Sequence, residues 1–349
     1  MPAPQLGPEP ERLRAAYLQL LKLSLCDLTG ACTREIRWTS DKRVFWRHLT
    51  DAEQVSGRVE GKDWPLDGLT MIGLRRLDDL QACVESVLAD GVAGDLIEAG
   101  AWRGGASILI RSTLDAWGAR DRTLWVADSF QGFPSPQADA PAADREVESD
   151  MGRIDYLAPG LAAVKEHFAR FGVLHGVRFV PGFFDDTLPA LAGRRWALIR
   201  LDADTYHATR LTLESLYPGL AAGGYVLIDD YFHPYLPESC RRAVDEFRAE
   251  HGITDPIEQA DWNGGHWRKS ADPASHDVAG PALAPEDALA PDSVLPGREL
   301  ALLPTAPSDH ELQLRDEVDA LRSRVGTADR GPAPPESLAA RLRRLVGGG

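Results

Sequence analysis

Cysteine is scarce in this chain. Four residues, Cys26, Cys32, Cys83 and Cys240, are spread over 349 positions. They are too few and too scattered for a disulfide framework, and a reducing compartment fits them best. No run approaches the roughly 18 consecutive apolar residues of a membrane-spanning helix. The N-terminus has no basic start followed by an apolar block, so no signal peptide and a cytoplasmic location are expected. Positive charge is also in deficit: 38 Lys and Arg stand against 53 Asp and Glu, a formal net charge of −15. That balance excludes nucleic acid, whose phosphates select basic surfaces, and an anionic membrane face. Aromatic residues are missing from the end of the chain. All 26 lie at or before Trp267, and residues 271–349 carry ten prolines instead. Such a segment cannot offset its ordering entropy by burial. Three parts are therefore expected: an N-terminal helical lid segment, 1–69; a main domain, 70–270; and a Pro/Ala-rich linker with a short helical tail, 271–349.

The tail holds two short apolar patterns. Leu314, Val318, Leu321 and Val325 repeat at coiled-coil spacing, and Leu338, Leu342 and Leu345 sit among arginines. Two heptads alone are marginal in water. The tail therefore reads as a solvated segment, with docking to another protein, or pairing across subunits of a homo-oligomer, as the alternative. At the front, Leu13, Tyr17, Leu20, Leu21 and Leu25 give a helical pattern. A polar stretch with Trp38, Phe45 and Trp46 follows, and the whole reads as a lid or flanking subdomain.

The middle alternates strand and helix. Apolar runs at 95–100, 123–128, 177–180, 196–202 and 225–230 read as strands, with helical stretches at 104–118, 158–171 and 205–217 between them. This alternation indicates a doubly wound α/β sheet, mostly parallel. Residues 257–261 and 266–269, around an Asn-Gly turn, predict a hairpin and hence one antiparallel strand.

Three motifs carry chemistry. The first runs from Glu98 through Gly100, Trp102, Arg103, Gly104 and Gly105 to Ser107. It is a glycine-rich turn from strand to helix, where a ligand can approach the backbone. It is not the G-x-G-x-x-G fingerprint, which disfavours a dehydrogenase. The second is Asp128, at the end of the next strand, where nucleotide-binding α/β folds hold a ribose. A helix cap is the plainer alternative. The third is a convergence of Asp202, Asp204, Asp229 and Asp230 at the ends of neighbouring strands. Crowded carboxylates repel, and a hard divalent cation such as Mg²⁺ relieves that. Solvent-exposed caps are the alternative there, in particular for Asp204.

With these motifs the chain resembles the macrocin O-methyltransferase (TylF-like) family over about residues 11–269. The blocks that carry the resemblance include Asp63-Trp-Pro65, Thr70-Met-Ile-Gly73, Arg76-Leu-Asp78, Gly94 to Gly100, Trp102 to Gly105, Val126 to Phe130, Leu201 to Tyr206, Asp229-Asp-Tyr231 and Trp267-Arg268. The resemblance implies a class I S-adenosylmethionine-dependent methyltransferase fold. That fold is Rossmann-like, with a mostly parallel seven-stranded sheet and one antiparallel strand; here it would carry an N-terminal helical lid and a disordered or helical tail. It implies transfer of a methyl group from S-adenosylmethionine to a sugar hydroxyl of a bacterial natural product, assisted by Mg²⁺. Carried over, Glu98, Gly100, Trp102, Arg103, Gly104 and Ser107 belong to the methionine end of the cofactor site, and Asp128 holds the ribose beside Ser129 and Phe130. Gly182 and Phe183 border adenine, while Met71, Ile72 and Gly73 close the pocket. Asp202, Asp229 and Asp230 bind the metal.

Asp202 is the first candidate for proton acceptor, and it also borders the cofactor. His207, next to Tyr206, and His233, in a connection that also holds Tyr235, are its rivals. A Mg²⁺-dependent methyltransferase of a catechol or phenol is the alternative enzyme. A non-catalytic nucleoside-binding scaffold is the alternative of another class, and the intact acid cluster argues against it.

Overall fold

The computed structural model describes residues 8–30, 33–38, 44–49, 52–136, 138, 140–234 and 237–270. The expectations for the tail, and the position of Tyr235, lie outside these residues. In chain order the helices are α1 Pro8–Leu25, α2 Ala52–Val59, α3 Gly73–Ala89, α4 Gly105–Ala116, α5 Ala142–Met151, α6 Leu161–Arg170, α7 Phe184–Thr187, α8 Tyr206–Leu216 and α9 Arg242–Glu250. The strands are β1 Arg34–Trp38, β2 Val44–His48, β3 Trp64–Pro65, β4 Asp95–Ala99, β5 Leu124–Asp128, β6 Val177–Pro181, β7 Trp196–Leu201, β8 Leu220–Ile228, β9 Glu258–Gln259 and β10 Gly265–Arg268.

The main sheet has the order β6-β5-β4-β7-β8-β10-β9. Neighbours from β6 to β8 are parallel, and β10 runs antiparallel to both β8 and β9. This is the expected architecture. Strands covered on both faces become continuous apolar runs, and β7 is buried along its whole length. The two-residue period then sorts side chains between two cores. Leu96, Val126 and Leu198 face a core with α1, α3, α4 and α6. Ile97, Trp125 and Ile199 face one with α8 and α9. No helix of the described residues is long and apolar enough to cross a membrane.

The front differs from the expected helical lid. Strands β1, β2 and β3 form a small antiparallel sheet in the order β2-β1-β3. Buried Arg58 pins it, donating to the Asp63 carboxylate and to the carbonyl oxygens of Cys26 and Arg34. The helical pattern in α1 also divides. Leu18, Leu21 and Leu25 are buried in the main core, whereas Leu13, Tyr17 and Leu20 are exposed. The two sets lie about 100° apart around a helix with 3.6 residues per turn, so only one stripe can meet the core.

Candidate active site

Between β4 and its neighbours β5 and β7 the direction of chain progression reverses. Open α/β sheets form their ligand crevice at such a point, beyond the carboxyl ends of the strands. Gly100 sits at its floor with φ +90°, and a Cβ there would lie 1.9 Å from the Asp202 carbonyl oxygen. Only glycine allows the ends of β4 and β7 to come so close.

Asp128 ends β5 and organises the turn above it. One carboxylate oxygen accepts from the backbone N–H of Ala101 at 2.8 Å and Trp102 at 3.0 Å, and the other from Phe130 N–H at 2.6 Å. Burial raises its pKa, and these donors oppose the rise. Three backbone donors thus hold the carboxylate, and the Ser129 side chain also lies within its reach.

The acid cluster comprises Asp202, Asp204 and Asp230, whose carboxylate oxygens lie within 4.8 Å of one another. Burial raises Asp202 and Asp204 well above the usual carboxylate range, and neighbouring carboxylates add to the shift: Asp229 foremost for Asp202, Asp230 for Asp204. Asp204 adopts a left-handed backbone, φ +58°, a conformation that Asp tolerates better than most residues. It does not cap α8. That helix begins on Thr205, whose hydroxyl accepts from Ala208 N–H, and on Asp144 of α5, which accepts from Tyr206 and His207 N–H. Three crowded carboxylates, with no His or Cys among them, form a donor set suited to a hard divalent cation.

Asp229 was expected among the ligands, but both its oxygens meet cations. Arg200 lies 2.5 Å from one and Arg76 2.5 Å from the other. A buried chain of alternating charge results: Glu98–Arg200–Asp229–Arg76–Asp261. The register explains its core, because Glu98 and Arg200 stand directly opposite on β4 and β7. Burial opposes the Arg200 charge, and Asp229 and Glu98 outweigh it, so its pKa rises. Ser107 donates to the far oxygen of Glu98, whose pKa burial raises against Arg200. At the other end, Asp261 accepts from Asn263 and Gly264 N–H, and the Asn263 amide donates to Asp230 at 2.8 Å. The hairpin tip thus holds a member of the acid cluster.

One cavity of about 310 Å³ joins these features. Met71 and Ile72 line it, as do Glu98, Gly100 and Trp102, Asp128 and Ser129, Phe183, Asp202, Asp229 and Asp230, and both His207 and His233. The other expected residues lie behind the wall. Gly73 abuts Gly61, and Gly104 is packed against Phe168. Arg103 donates to the carbonyls of Leu66 and Gly68. Ser107 is fully buried on Glu98, and Phe130 packs edge-on to Phe179. The remaining one, Gly182, is bonded to the Asp128 carbonyl. Spacing places these residues near the cavity but does not show which way each one faces. His207 is exposed and bonded to Asp185 at 2.7 Å. His233 is buried, and that burial lowers its pKa.

Arg76, Arg200, Asp261 and Asn263 were missed as site residues. A charged residue inside the apolar run 196–202 was a usable signal for Arg200. Arg76 lay within a recognised block without a role.

Residues 16–269 match the family described as macrocin-O-methyltransferase (TylF). The chain belongs to this family. It is an O-methyltransferase. Among its relatives is 8-demethyl-8-(2,3-dimethoxy-alpha-L-rhamnosyl)-tetracenomycin-C 4'-O-methyltransferase of Streptomyces olivaceus, 50% identical over 262 residues, covering 75% of this chain and 95% of that protein. Another is mycinamicin III 3''-O-methyltransferase of Micromonospora griseorubida, 46% identical over 230 residues, covering 64% and 87%. The solved structure of the O-methyltransferase NovP shares the class I fold at TM-score 0.65 and 39% identity, covering 74% of this chain and all of that one.

Proposed function

We propose that this family member transfers the methyl group of S-adenosylmethionine to a hydroxyl of a sugar on a bacterial natural product. What supports the reading most is that the Gly100–Asp128 turn and the acid cluster share one cavity. The tetracenomycin relative named above, whose name carries a rhamnosyl substrate, points the same way.

The residues divide the work. The turn at Gly100, with the Asp128 carboxylate, would hold the nucleoside end of the donor. Met71 and Ile72 close over it. Asp202, Asp204 and Asp230 hold a divalent cation, Mg²⁺ by their chemistry, with Asp229 fixed behind them by Arg76 and Arg200. A cation held there would supply Lewis-acid activation of the acceptor hydroxyl. Once bound, S-adenosylmethionine would supply the methyl group and leave as the thioether, and the Asp202 carboxylate, in the same cavity, would be placed to take the hydroxyl proton of the acceptor. Positioning supplies much of the rate.

Methyl transfer from isotopically labelled S-adenosylmethionine to a panel of rhamnosides, other deoxyglycosides and catechols, with and without EDTA, tests this. Labelled glycoside that disappears on chelation is the expected result. Transfer to catechols alone would favour the phenolic alternative, and transfer indifferent to EDTA would remove the cation.

A further inference from the structure

A second group of metal-ligating side chains lies outside the cavity. Asp79 and Cys83 are one turn apart on α3, and His266 faces them from β10. One ligand atom from each comes within 4.8 Å of the other two. None of the three lines the active-site cavity. Cys83 is 3% exposed and His266 9%, while the Asp79 side chain keeps 21%, so the group is closed on the protein side and open at Asp79.

We propose that Asp79, Cys83 and His266 form a site for a zinc-like divalent cation that ties α3 to β10. The donor types select the ion. A thiolate and an imidazole suit a borderline-soft cation and not Mg²⁺. The geometry suits it too. Metal bonds of about 2.0–2.3 Å put tetrahedral donors roughly 3.3–3.8 Å apart. His266 Nδ1 and the Asp79 carboxylate are 2.9 Å apart, so small side-chain rotations suffice. The other imidazole nitrogen, Nε2, faces Glu258 at 3.7 Å. A carboxylate behind the second nitrogen is the usual outer partner of a metal-bound histidine. Charge balances as well: one carboxylate and one thiolate neutralise the dication, and solvent at the Asp79 side supplies the fourth ligand. Burial holds the Cys83 thiol neutral in the absence of a cation. On binding, the S–H proton leaves to solvent as the sulfur–metal bond forms. The site also has a structural consequence. Arg76, Asp79 and Cys83 follow one face of α3, and β10 continues directly from the hairpin that holds Asp230. The ion would brace both supports of the acid cluster.

Cobalt(II) titration of the metal-stripped full chain tests the proposal. The expected result is a thiolate-to-cobalt charge-transfer band with tetrahedral ligand-field absorption, whose final intensity corresponds to one thiolate-bound cobalt per chain, and which zinc displaces. Zinc alone should raise the melting temperature. Cys83→Ser should abolish the charge-transfer band. Asp79→Asn, at the exposed edge where folding is least at risk, should weaken cobalt binding at least about tenfold. Absence of the band, or a band that survives in both variants, would overturn the proposal and leave His266 and Asp79 as an ion pair only. Cobalt at the acid cluster would give no thiolate band, so the two sites are distinguishable.

Discussion

Arg76 and Asp261, 185 positions apart in the sequence, meet at 2.8 Å between buried side chains. Each uses its remaining atoms elsewhere in the site. Arg76 grips Asp229, and Asp261 closes the turn that carries Asn263 to Asp230. One contact therefore fixes α3, the end of β8 and the terminal hairpin together.

Removing Arg76 leaves two buried carboxylates short of a cation. Arg76→Met should destabilise the fold by about 3–5 kcal/mol, the usual penalty for breaking a buried ion pair. Urea unfolding checks this through a lower midpoint at unchanged slope.

Asp204 and Asp229 should behave differently. Asp204→Asn removes a cluster ligand but no arginine partner. It should lower turnover by more than the about 10–100-fold typical of losing an outer partner of a metal ligand, at nearly unchanged melting temperature and S-adenosylhomocysteine affinity. Asp229→Asn should lower turnover and melting temperature together, because Arg76 and Arg200 lose their shared anion. Calorimetry and thermal melts on the two variants separate these outcomes.

Asp128→Ala should weaken cofactor binding by on the order of 2–4 kcal/mol, from lost charge-assisted hydrogen bonds. Because Asp128 also holds the backbone of Ala101, Trp102 and Phe130, amide exchange at those positions should accelerate in the same variant. Unchanged affinity would place the ribose elsewhere.

Burial holds the His167 pKa below its ordinary value of 6.5, while its Nδ1 contacts the Arg103 carbonyl. The folded state thus binds its proton less readily than the unfolded chain. This contribution to stability is complete above the unfolded pKa near 6.5 and is lost as pH falls from there through the lower folded value. His167→Gln should flatten the decline in melting temperature between neutral and mildly acidic pH.

A chain ending at Ser270 should fold and keep its turnover number. The family match ends at residue 269, and among the described residues the cavity lining ends at Asn263. Steady-state kinetics of the shortened and full-length chains decide it.

The parts legible in the sequence were those set by local pattern. Apolar runs gave the strands, the Asn-Gly turn gave the hairpin, and Gly100 and the acids at strand ends gave the crevice. What escaped depends on partners far away in sequence. Arg200 meets Glu98 across 102 positions, and Asp144 caps α8 across 62 and 63. Asp204 looked like a cap because it precedes a helix, but the cap arrives from another element. The stripe Leu13, Tyr17 and Leu20 has the same period as a core face, and period alone does not say which face the core will occupy.

With donor and acceptor placed as proposed, the contact at Gly100 would set the span between them. With no side chain at 100, the donor turn on β4 and the Asp202 end of β7 abut backbone to backbone, backed by the Asp202 N–H bond to the Ala99 carbonyl at 2.8 Å. On the proposed reading, the distance from methyl donor to acid cluster would thereby be built into the sheet, as in a calliper locked at one setting. Accommodation of different acceptors then falls to the loops above the strand ends, which can vary without altering the reach of the transfer.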